Sequence, residues 1–164
     1  PDWSENKYVT INLDLVDGEI NSEWADFVGL FQNKTFVFLS SELNENFQKS
    51  KIEDFIKTLS QENTYKVFEY SSNIELGKLL SYSVCFITSD SPLYMISTYC
   101  GCHTFLLNSG EDLRNKGTQF FVGKLRHFDK TDPAYSQSLN FNYDKIFDEL
   151  YEFIDSRIKD VVDD

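Results

Sequence analysis

The sequence predicts an α/β fold, a Rossmann-like parallel sheet with helices on both faces. Three observations predict it. Short apolar runs alternate along the chain with amphipathic stretches, the pattern of a parallel sheet covered by crossover helices. Several runs are continuous, as in Thr35-Phe36-Val37-Phe38-Leu39 and Val84-Cys85-Phe86-Ile87, which suits strands buried on both sides. A polar hinge, Thr88-Ser89-Asp90-Ser91-Pro92, joins one such run to a helix-like segment, and open α/β sheets bind ligands at hinges of this kind.

Each element has its own signal. Tyr8 to Leu13 alternates and is rich in β-formers, so it reads as the first strand, broken by Asp17-Gly18. Ser22 is placed to cap a helix that carries Trp24, Phe27, Val28 and Phe31 at helical spacing. Asn33-Lys34 is a turn and Thr35 to Leu39 the second strand. A polar loop, Ser40 to Asn46, leads to an amphipathic helix with Ile52, Phe55, Ile56 and Leu59 inward. Tyr65 to Phe68 is a third strand. Ser71-Ser72-Asn73 with Glu75 starts a short helix, whose expected apolar face is Ile74, Leu76, Leu79 and Leu80. Val84 to Ile87 is the fourth strand. Pro92 suits the first position of the next helix, which runs to about Tyr99 and stops at Gly101. Thr104 to Leu107 is the fifth strand. Beyond it the pattern weakens: residues 108–116 read as a loop, 119–122 as a short strand and 127–140 as irregular chain. Residues 144–164 form a closing acidic helix, with Ile146, Phe147, Leu150, Phe153, Ile154 and Ile158 inward over its apolar stretch.

A chain of 164 residues with 41% hydrophobic content forms a single domain with a sizeable core. That core is aromatic, with 15 Phe and 9 Tyr. The net charge of −12 repels nucleic acid and anionic membrane surfaces, so neither is an expected partner. No apolar run reaches the roughly 18 residues of a membrane span, and no secretory signal is present. The chain opens on Pro1, so a fragment of a larger protein is expected. Three cysteines, Cys85, Cys100 and Cys102, make an odd number without a disulfide framework and fit a cytoplasmic location. Cys100-Gly101-Cys102-His103 lacks further ligands at zinc-like spacing, so no metal and no cofactor are expected.

The hinge is the strongest candidate site. Asp90 and Ser91 stand where helix N–H groups and the helix dipole attract phosphates, although Ser91 before Pro92 is also a plain helix start that needs no ligand. Tyr94 follows within the first turn. It reads as a packing aromatic, and His103 as a strand-adjacent residue without a nucleophile partner.

The order of elements resembles the C-terminal, nucleotide-sugar-binding half of a GT-B glycosyltransferase, and most of all the ADP-heptose:lipopolysaccharide heptosyltransferase family. The resemblance covers about residues 8–110. It rests on the Trp-bearing helix start Glu23-Trp24-Ala25-Asp26-Phe27, the strand end Leu39-Ser40-Ser41-Glu42, the short-helix segment from Ser72 to Val84 that ends just before a strand, and Asp90-Ser91-Pro92-Leu93-Tyr94 followed by Gly101 and a strand. The resemblance implies donor-binding roles for Asp90, Ser91, Tyr94 and, at the nucleoside, Glu42. The sequence departs from the family signature at three points. The glycine between Ser91 and Pro92 is missing, Tyr94 replaces a histidine, and Asn21-Ser22-Glu23 replaces a lysine. In such enzymes the acceptor site and general base come largely from the N-terminal half, so no catalytic residue is assigned.

A phosphorelay receiver has a similar topology and fails on its residues. Glu69 rather than Asp follows the third strand, and Asn108 rather than Lys follows the fifth. No Gly-rich dinucleotide loop or P-loop is present. The expectation is a glycosyltransferase-like domain with a degraded nucleotide-sugar site, acting as a scaffold or protein-interaction domain and inactive alone. The alternative is the donor-binding half of an active glycosyltransferase. The expected partners are a nucleotide sugar, an N-terminal half or another protein.

Overall fold

The computed structural model describes residues 8–13, 15–16, 18–41, 49–89, 93–108, 137–140 and 151–156. Among these described residues, six strands form one parallel sheet: β1 (Tyr8–Asn12), β4 (Thr35–Ser41), β5 (Thr64–Tyr70), β6 (Cys85–Ser89), β7 (Thr104–Asn108) and β8 (Gln137–Asn140). A separate hairpin, β2 (Leu15–Val16) with β3 (Glu19–Ile20), follows β1. Four helices connect the strands: α1 (Glu23–Val28), α2 (Lys49–Ile56), α3 (Asn73–Ser81) and α4 (Leu93–Tyr99). Residues 151–156 are also helical.

The spatial order β5-β4-β1-β6-β7-β8 is that of a doubly wound Rossmann-like sheet. It starts at the centre with β1, builds outward through β4 and β5, then reverses to β6, β7 and β8. The reversal places a topological switch point between β1 and β6, where the crevice beyond the strand ends takes ligands in this class of fold. The strand register puts Asn12 opposite Thr88 there.

Because successive side chains point to opposite faces, each strand feeds two cores. On one face Val9, Ile11, Phe36, Phe38, Cys85 and Ile87 pack with Trp24 and Phe27 of α1, Ile52 of α2, and Phe153 and Ile154 of the 151–156 helix. On the other, Tyr8, Val37, Leu39 and Phe86 pack with Leu76, Leu79 and Leu80 of α3, and Leu93 and Ile96 of α4 lie against them. Helices therefore cover both faces, as expected. The first core is built largely of aromatic edges. Phe27 meets Trp24, Phe31 and Phe36 in T-shaped pairs at 5.8, 5.3 and 6.4 Å, arrangements that add to plain area burial.

The structure departs from the sequence reading in four places. Gln137–Asn140 is a strand rather than irregular chain, paired along the edge of β7. Gly18 does not merely follow the end of β1 but lies in the turn of the β2–β3 hairpin at φ +81°, a conformation glycine adopts without steric cost. Ser22 occupies the cap position of α1 without a side-chain hydrogen bond. Instead Asn21 Oδ1 accepts from Glu23 N at 3.0 Å. Ile74 is 73% exposed and lies off the apolar face of α3, because at about 100° per residue it sits roughly 200° from Leu76. The segments 119–122, 127–136 and 144–150, and residues beyond 156, lie outside the described residues.

Candidate functional site

The candidate site is the C-terminal edge of the sheet at the switch point. β1 ends in Asn12 and β6 ends in Thr88-Ser89. Asn12 Nδ2 donates to Thr88 Oγ1 at 3.0 Å, a side-chain tie laid across two strands already paired through their backbones. Thr88 is fully buried and Asn12 half-buried, so the pair forms a polar floor at the strand ends of the switch point. Leu13, the next residue after β1, is also fully buried. On the β4 side the edge ends in Ser40-Ser41, with Ser40 buried and in register with Glu69 of β5.

The segment after β1 shapes the approach to this edge. The β2–β3 hairpin leads into Asn21, whose backbone and side chain organise the start of α1: Trp24 N donates to Asn21 O at 3.2 Å and Glu23 N to Asn21 Oδ1. Asn21 is 6% exposed, so this amide is committed to the turn. Glu23 and Asp26 place two carboxylates in the first turn of α1. Lys51 Nζ, in α2, donates to Gly18 O at 2.9 Å and ties the hairpin turn to that helix.

Of the residues expected to bind a donor, Tyr94 lies in the first turn of α4. Asp90, Ser91 and Glu42 lie outside the described residues, although the strand ends that carry them are in place: Ser89 closes β6 and Ser41 closes β4. β6 and β4 are separated by β1 alone, so both hinges leave the same edge of the sheet. Thr88 belongs to the hinge and Ser40 to the strand end that the sequence marks, whereas Asn12 carries no such mark. Its signal was that of a polar residue ending an apolar strand.

The displaced ionisations fall elsewhere. Burial pushes the Cys102 thiol up to about 12, and the neighbouring Cys100 adds to the shift. Burial also raises the Cys100 thiol and, with contributions from Cys102 and Tyr82, the Tyr8 phenol. The Tyr65 phenol is raised by burial against an opposing hydrogen bond from Asn63. Tyr8 begins β1, Tyr65 lies near the start of β5, and Cys102 lies two residues before β7. These groups therefore gather at the opposite, N-terminal edge, where they serve packing. His103 is likewise a packing residue, its ring 5.3 Å from that of Phe153. Among the described residues, no group of three or more His, Cys, Asp or Glu is placed to hold a metal ion.

Two clefts lie away from the switch point. One of about 740 Å³ runs between α2 and β5, lined by Ile56, Tyr65, Val67 and Phe68 with lysines at its rim. It is three strands from β6. A polar notch of about 350 Å³ lies where residues 29–34 meet Tyr151 and Asp155. No helix among the described residues is long and apolar enough to cross a membrane.

No protein-family model matches the sequence, and no curated protein does. Solved structures do match. E. coli heptosyltransferase WaaC with ADP superposes with a TM-score of 0.62 at 10% identity, over 93% of this chain and 46% of that one. Arabidopsis thaliana FUT1 in complex with GDP matches with a TM-score of 0.41 at 15% identity, over 65% of this chain and 30% of that one, a likeness too distant to argue from. The chain spans about half the length of the heptosyltransferase structure it matches, and what the two share is the fold: a Rossmann-like domain of the GT-B glycosyltransferase type.

Proposed function

We propose that this is a GT-B C-terminal half related to heptosyltransferases, whose nucleotide-sugar site is degraded and which acts chiefly as a scaffold or protein-interaction domain. The observation that carries this reading is the start of α1. Where the resemblance calls for a lysine beside the sugar diphosphate, the chain has Asn21-Ser22-Glu23. The Asn21 amide is buried and bonded to Glu23 N, and two carboxylates occupy the first turn. A carboxylate in place of an ammonium opposes a diphosphate. The replacement of the family histidine by Tyr94 exchanges a group that can carry positive charge for a neutral phenol, so a second charge-assisted contact is lost. Each charge-assisted contact contributes about 1.5–3 kcal/mol, so losing two lowers affinity by about two orders of magnitude or more.

The test is calorimetric titration with ADP-, UDP- and GDP-sugars. The expected result is no binding below millimolar concentration. Micromolar binding that disappears in Asp90→Ala would overturn this reading. It would favour a second one, in which the chain is the donor-binding half of an active glycosyltransferase. That second reading draws on the preserved switch point, where Asn12 and Thr88 hold the edge together, and on the ADP carried by the heptosyltransferase of like fold. Transfer would then require a second half to supply the acceptor site and base.

A further inference from the structure

We draw no further inference here: the strongest candidate, the apolar cleft between α2 and the outermost strand β5, has Lys49, Lys57 and Lys66 at its rim, but Glu53 within it and Asp54 paired to Lys57 offset their charge, and nothing in the structure shows what covers it.

Discussion

Asn63 acts as a helix cap supplied from a distant segment. Its Nδ2 donates to Val28 O and Phe31 O, both at 3.0 Å, while its Oδ1 accepts from Lys34 N at 3.0 Å. One side chain thus adds a second donor to the last carbonyl of α1, which also accepts from Phe31 N at 3.1 Å, bonds the carbonyl of Phe31 beyond the helix, and pins the turn that enters β4. Asn63→Ala should lower stability by about 2–3 kcal/mol, since removing one partner strands part-buried polar groups. Urea denaturation measures this, and a loss under about 0.5 kcal/mol would show that water replaces the amide. Cys102 makes a second residue-scale prediction. Its thiol, ordinarily ionising near 9, is held up to about 12 in the folded chain. The folded state therefore keeps its proton where the unfolded state loses it. This stability is fully present below about pH 9 and drains away as pH rises toward 12, at up to about 1.4 kcal/mol per pH unit for one proton. Cys102→Ala should flatten the fall between pH 9 and 11. Parallel slopes for variant and parent would refute the assignment. The raised Tyr8 phenol acts in the same direction.

At the scale of elements, α3 shows how local chemistry starts a helix. Ser72 Oγ accepts from Glu75 N at 3.2 Å, and Glu75 in turn accepts from Ser71 N and Ser71 Oγ, both at 3.3 Å. This is a capping box shifted one residue outward. Ser72→Ala should cost about 1 kcal/mol in thermal or urea unfolding, and Ser72→Asp should recover most of it. The same helix shows what a sequence makes legible. Ser71-Ser72-Asn73 with Glu75 marks its start, and Leu76, Leu79 and Leu80 define its buried face. Ile74 misled because composition, not angle, placed it inward. β1, β4 and β6 were legible because sheet burial demands apolar runs. β8 was not: Gln137-Ser138-Leu139-Asn140 has no such run, and its extended form comes from pairing with β7, a long-range cause that local pattern does not carry. The switch-point floor was half legible. The Asp90 hinge stood out by its turn and cap residues, whereas Asn12 and Thr88, which meet in the fold, lie 76 positions apart in the sequence.

For the whole molecule, charge and topology set the behaviour. A net charge of −12 makes the compact state repel itself. Raising salt from about 0.01 M to about 0.15 M shortens the screening length from roughly 30 to 8 Å. The thermal midpoint should therefore rise over that range, and a flat or falling midpoint in scanning calorimetry would show that attractive surface pairs outweigh the repulsion. The same field disfavours polyanions in general. It acts in the same direction as the proposed loss of the donor site, since a polyanionic nucleotide sugar would have to overcome that field.

The central position of β1 carries a consequence for how the chain acquires its structure. β1, the first strand among the described residues, lies between β4 and β6, so one of its two edges can be closed early and the other only after Cys85–Ser89 has been made. Until then a growing chain holds Val9 and Ile11 against a half-built core with an open, apolar strand edge, the kind of edge that recruits other chains. Parallel pairing over such separations is slow. During synthesis β1 therefore keeps one edge open until the same strand that completes the switch point has been made.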